Sequence, residues 1–262
     1  MQFLMLFLFT FFISVSFSPL IYSLHFSFAS ESDYNLQLRW GTEGTENGQF
    51  MVPHSMAFDS EGNIYVTDAN NHRIQKFTSD GEFITKWGTE GNGDGEFSSH
   101  AHGVTKDSFD NIYITDRFDH RVQKFTSDGE FITKWGTEGK EDGQFNEPHS
   151  SIVDRYGNVF VSDMNNHRVQ KFTSDGEFIT KWGTEGNGDG EFRLPLGIGV
   201  DSKGNVFILD QVASSINQFS NEGRFLNKII FNFEKLEDIE IDSNDNIYVT
   251  DRNKNEILKF SK

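Results

Sequence analysis

QKFTSDGEFITKWGTEG occurs three times without change, at Gln75–Gly91, Gln123–Gly139 and Gln170–Gly186. Successive copies start 48 and 47 residues apart (123 − 75 and 170 − 123). A fixed period of this size marks a stack of equal units, each too small to bury its own apolar faces. Inside the string, Asp-Gly separates two alternating runs, RIQKFT and EFITKWG, which predicts a hairpin. Reading outward, a second marker precedes each copy. It is a short β-branched and aromatic run ending in Asp: GNIYVTD (Gly62–Asp68), DNIYITD (Asp110–Asp116), GNVFVSD (Gly157–Asp163), GNVFILD (Gly204–Asp210) and DNIYVTD (Asp245–Asp251). The chain therefore holds five units. Three are nearly identical, a fourth has diverged, and a fifth has diverged and shortened.

Each unit reads as four short antiparallel strands. In the first these are HSMAFD, NIYVTD, RIQKFT and EFITKWG, separated by Ser60-Glu61-Gly62, Ala69-Asn70-Asn71-His72 and Ser79-Asp80-Gly81. Four-stranded sheets stacked radially make a β-propeller. The two ends complement each other. The last unit stops after its third strand (Glu256–Lys262), and the chain enters the first unit through a fourth-strand pattern, NLQLRWGTEG (Asn35–Gly44). Pairing the two closes the ring and removes a sheet edge. The expectation is an all-β, five-bladed propeller rather than a six-bladed one, spanning residues 31–262.

Composition excludes several classes. Lys plus Arg is 23 against 40 Asp plus Glu, a net charge of −17, which opposes binding to a phosphate backbone. There is no Cys, hence no disulfide or thiolate chemistry. Residues 1–30 carry no Asp, Glu, Lys or Arg and contain the apolar run Phe3–Phe17. They read as a signal peptide or a retained membrane anchor, placing the propeller outside the cell or at its surface. No nucleophile elbow, P-loop or dinucleotide fingerprint is present.

The repeated pattern WGTEG…GQF…PHS…D…GNIYVTD..NHRIQKF resembles the NHL-repeat family over nearly the whole chain from Asn35. The resemblance implies a propeller used for binding proteins, peptides or RNA, for sensing, or for lyase chemistry.

Two repeated sets of residues are candidates for a site. The first begins the innermost strands: His54, His102 and His149, with Leu196 and Glu237 in the matching slots of units four and five. Three imidazoles and a carboxylate converging in a narrow channel have the donor set of a zinc-type ion. Among NHL propellers, the similarity to peptidyl-α-hydroxyglycine α-amidating lyase implies the same metal role for the three histidines. A His copied with the repeat to line the channel is the other reading. The second set is Arg73, Arg121 and Arg168. In the same resemblance these residues imply a clamp for a ligand carboxylate. Each also follows a strand-ending Asp by five residues, which allows a structural ion pair. Two functions stay open: a secreted or tethered monomeric module binding a protein, peptide or glycan, and a metal-dependent lyase. Nucleic acid is not an expected partner.

Overall fold

A computed structural model describes residues 38–98, 101–231, 235–251, 254 and 256–261. The leader or anchor read at residues 1–30 lies outside the described residues. Blade one is β1 (Pro53–Phe58), β2 (Ile64–Asp68), β3 (Arg73–Phe77) and β4 (Phe83–Trp87), bonded in that order. Blade two is β5 (Ala101–Lys106), β6 (Ile112–Asp116), β7 (Arg121–Phe125) and β8 (Phe131–Trp135). Blade three is β9 (Pro148–Val153), β10 (Val159–Asp163), β11 (Arg168–Phe172) and β12 (Phe178–Trp182). Blade four is β13 (Pro195–Val200), β14 (Val206–Asp210), β15 (Ser215–Phe219) and β16 (Phe225–Ile230). Blade five contributes β17 (Leu236–Ile241), β18 (Ile247–Asp251) and β19 (Glu256–Phe260). Every pairing is antiparallel, and the innermost strands β1, β5, β9, β13 and β17 touch in succession. The molecule is a five-bladed β-propeller.

The hairpin from the first to the second strand is set by one Asp per blade. Asp59 Oδ1 accepts from the backbone N–H of Glu61 (3.0 Å) and Asn63 (2.8 Å). Its Oδ2 accepts from Asn63 Nδ2 (2.9 Å) and the Tyr65 hydroxyl (3.1 Å). Asp107, Asp154, Asp201 and Asp242 repeat the backbone bonds. A carboxylate that folds onto its own turn is a local device, which explains why this turn survives even in the diverged blades.

Adjacent blades are joined by an aromatic wedge. Trp87 packs against Phe125 of the next blade (5.9 Å between ring centres), Trp135 against Phe172 (5.8 Å) and Trp182 against Phe219 (5.8 Å). Each indole also lies on the turn glycine of that neighbour, Gly129, Gly176 or Gly223. A Cβ on Gly129 would stand 2.5 Å from Trp87, and one on Gly176 the same distance from Trp135. Gly129 also has φ +88, so the turn needs glycine for its backbone and for its space. Trp40 packs the same way on blade one, 6.3 Å from Phe77 and 2.9 Å from a Cβ built on Gly81. The entering chain therefore leaves its Trp where the outer strand of a preceding blade leaves one. Residues 38–42 carry no strand of their own, and residues 35–37 of the expected closing strand lie outside the described residues.

Candidate functional site

Strand register fixes which residues share an end of the ring. Pro53 lies opposite Asp68, and Asp68 opposite Arg73. The start of each inner strand and the loop from its second to its third strand therefore lie on one face, the mouth.

At this mouth a cavity of about 460 Å³ is lined by His54, His102, His149, Glu237, Asp238 and Glu240, with Val52, Pro53 and Met56 at its apolar side. The four residues singled out in the sequence thus come together. Their geometry differs from that of an ion site. The His54 and His102 rings lie 4.2 Å apart at 38°, and those of His102 and His149 lie 4.0 Å apart at 52°. Imidazoles radiating from one ion at 2.0–2.1 Å would set their centres roughly 5 Å apart. His102 Nδ1 is instead engaged with the His149 carbonyl at 3.0 Å. Among the described residues, no three His, Asp or Glu side chains are arranged to hold a metal ion. Leu196 is buried in the matching slot of blade four and contributes its carbonyl to Ser162 Oγ at 2.6 Å.

Burial holds both inner imidazoles neutral. His102 is pushed far below the ordinary histidine range by burial first, then by His149, His54 and Arg117. His149 is pushed down to about 3 by burial, then by Arg117 and His54. The opposite wall behaves inversely. Asp238 is raised to about 6 by burial, with Glu237 adding to it. Glu240 keeps contact with water, yet the protein around it and the charge of Asp238 raise it to about 7.

The arginines have another task. Arg73 Nε donates to Asp68 Oδ2 (2.8 Å), Nη1 to the Thr45 carbonyl (2.7 Å), and Nη2 to the carbonyls of Glu46 (2.8 Å) and Gln49 (2.9 Å). Arg121 and Arg168 make the equivalent bonds to Asp116 and Asp163 and to their own linkers. These side chains are buried clasps that tie each interblade linker to its blade. They are not placed to clamp a ligand carboxylate, because protein acceptors already take their donors. The linkers they hold, residues 43–50, 90–97 and 138–145, are acidic and Gly-bearing. In the same loops His72, His120 and His167 are half-buried at φ +53, +52 and +53. Their Nδ1 atoms meet backbone groups of the following linker.

Sequence reading missed the rim. After the strand-ending Asp, blades one and three continue Ala69-Asn70 and Met164-Asn165. Blade two has Arg117-Phe118 and blade four Gln211-Val212. Phe118 and Val212 are exposed apolar residues on the mouth face, as is Val52. Arg117 stacks on Phe118 at 5.3 Å and pairs with Glu147 at 2.5 Å. Val52 holds φ +60, a strained conformation for a β-branched residue. The signal was available as the positions where near-identical repeats depart from one another.

Fold and mouth together define a propeller with a cavity at one end of its ring. Residues 50–77 match the NHL repeat family, and residues 150–237 match a family described as a 6-bladed beta-propeller. The chain is a β-propeller whose first blade carries an NHL-repeat match. It is 40% identical over 53 residues to human NHL repeat-containing protein 3, covering 20% of this chain and 15% of that protein. It is 44% identical over 45 residues to the B-box type zinc finger protein ncl-1 of Caenorhabditis elegans, covering 17% and 5%. The chain thus spans a small part of these curated relatives. Among solved structures it is similar to a chain of a nidogen/laminin complex, with TM-score 0.65, 18% identity and coverage of 84% of this chain and 79% of that one. It is also similar to virginiamycin B lyase from Staphylococcus aureus with quinupristin, with TM-score 0.62, 14% identity and coverage of 80% and 67%. At these identities the likeness is one of fold.

Proposed function

We propose that the protein is a secreted or surface-tethered binding module that holds a protein or peptide at the mouth of its propeller. One observation carries this reading. The nearly identical blades one to three depart from one another in the mouth-face loop, where blade two places exposed Phe118, and the diverged blade four places exposed Val212 at the matching position. Exposed apolar side chains on loops of a rigid scaffold suit recognition of another chain. The uncharged apolar residues 1–30 support export or tethering. The nidogen/laminin likeness shows a propeller of this kind in a protein complex.

Panning a random peptide library on the immobilised full chain tests the reading. Selected peptides should lose binding to Phe118→Ala/Val212→Ala and keep it to Glu130→Ala/Glu177→Ala, which alters the opposite face. Peptides indifferent to the first pair and sensitive to the second would place recognition elsewhere and defeat the proposal.

A further inference from the structure

We infer that the mouth cavity seats a lysine or arginine side chain of the protein partner, with its cationic end against Asp238 and Glu240. This rests on the mouth-binding reading above and adds the chemistry of what enters.

The cavity has two unlike walls. One is made of neutral imidazoles and the apolar side chains of Val52, Pro53 and Met56. The other is the acidic run Glu237, Asp238 and Glu240 of β17. That run belongs to blade five alone. The slots matching Asp238 hold Ser55, Gly103, Ser150 and Gly197, and those matching Glu240 hold Ala57, Thr105, Ile152 and Gly199. The channel is built to admit the acid. A Cβ on Gly197 would stand 2.7 Å from Asp238 Oδ1, so the residue in blade four leaves the space that the carboxylate fills.

A second observation points to a missing partner. His149 is 6% exposed and lines the same cavity, yet its Nδ1 has no hydrogen-bond partner. A neutral imidazole nitrogen and carboxylate oxygens are acceptors, so the group that satisfies such a cavity is a donor. The tilted imidazoles pack on one another with centres nearer than a shared ion would set them, and an anion would meet the carboxylates of β17. Arg117, the cation on the imidazole side, is held by Glu147 at 2.5 Å. An ammonium or guanidinium on an aliphatic stem matches both walls: the stem lies along Met56 and Pro53, and the charge reaches β17. The net charge of −17 draws such a partner from a distance.

The test uses labelled hexalysine, hexaglutamate and spermidine with the full chain, read by fluorescence anisotropy at physiological salt. Hexalysine should bind one saturable site. The affinity should fall at least about tenfold in Asp238→Asn/Glu240→Gln, the scale of one lost charge-assisted contact. It should hold in Asp80→Asn/Glu82→Gln, which removes the same charge from a hairpin turn. Equal losses in the two variants, or none in the first, would reduce the effect to bulk charge and overturn the assignment. Spermidine binding at the site while hexalysine does not would reassign the cavity to a free amine. If the β17 variant does not fold, the methyl resonance of Met56 in the wild type decides: it should shift with hexalysine and not with hexaglutamate. Panned peptides that need Phe118 but carry no Lys or Arg would end this inference and leave the binding module standing.

Discussion

The seam between blades one and two and the seam where blade five meets blade one use equivalent slots and reach different outcomes. In the first, Tyr65 and Ile74 of blade one pack on Val104, Ile112, Ile114 and Phe125 of blade two, and Ile74 and Val104 are 0% and 7% exposed. In the second, the counterpart of Ile74 is Ile257, 69% exposed, and the counterpart of Val104 is Met56, 59% exposed. The residues stay apolar, so hydropathy alone does not make a dry seam. Both seams carry a Trp and the Gly turn that receives it, Trp87 on Gly129 and Trp40 on Gly81; they differ at the small Ala57 of blade one, where blade five places Glu240. Where a carboxylate stands in place of that small residue, the inner strands border a cavity with titratable walls.

The largest contrast should come from the aromatic wedge. Phe125→Ala empties a fully buried position and should cost about 3–5 kcal/mol. Phe58→Ala, at the wet seam and 55% exposed, should cost less than about 1 kcal/mol. Urea midpoints at constant m-value measure both, and comparable losses would show that the last seam is packed in solution.

A smaller effect separates space from backbone. Gly129→Ala meets Trp87 at 2.5 Å and adopts φ +88, so overpacking and strain together should cost about 2–4 kcal/mol. Gly157→Ala has φ +83 with nothing within 4 Å and should cost about 1 kcal/mol. If the two variants melt together, the indole does not rest on the turn.

Protonation acts oppositely on the two cavity walls. His102 and His149 are held below the ordinary histidine value of 6.5, so the unfolded chain takes up protons first and stability falls as pH drops below 6.5. Asp238 and Glu240 are raised to about 6 and about 7, so the folded chain takes up protons first and stability is regained as pH falls from 7 toward 4. Asp238→Asn/Glu240→Gln should therefore lose stability more steeply between pH 7 and 4 than wild type. His149→Gln should lose it less steeply. Parallel curves for all three proteins would contradict the opposite shifts assigned to the two walls.

The smallest effect concerns blade four, where Ser215 and Asn217 replace the Arg and Gln of the clasp. Ser215 Oγ and both polar atoms of the Asn217 side chain are buried without partners. Ser215→Ala removes one unsatisfied hydroxyl and should be neutral or stabilising by up to about 1 kcal/mol. A clear loss of stability would reveal an ordered water bound there.

Much of this was legible in the sequence because the causes are local. Asp-Gly turns, alternating strands and the Asp that folds onto its own turn act within a few residues, so a repeated string dictates a repeated blade. The aromatic wedge was legible too, since Trp and Phe recur at fixed offsets. The site was legible only in part. His54, His102, His149 and Glu237 do meet at the mouth, because the register of equal blades brings equal slots together. Whether their nitrogens point at one ion or their rings pack on one another depends on side-chain packing between blades, which no spacing encodes. The arginines show the same limit. An Asp and an Arg five residues apart fit a clamp or a clasp, and only the linker carbonyls that converge on Arg73 decide for the clasp. The sequence by itself determined five blades of antiparallel strands and a strong excess of negative charge. The tertiary structure decided which seam is dry, which histidines are neutral, and where carboxylates and an unpaired imidazole share a cavity. Those properties depend on burial, and burial is fixed by neighbours distant in the chain.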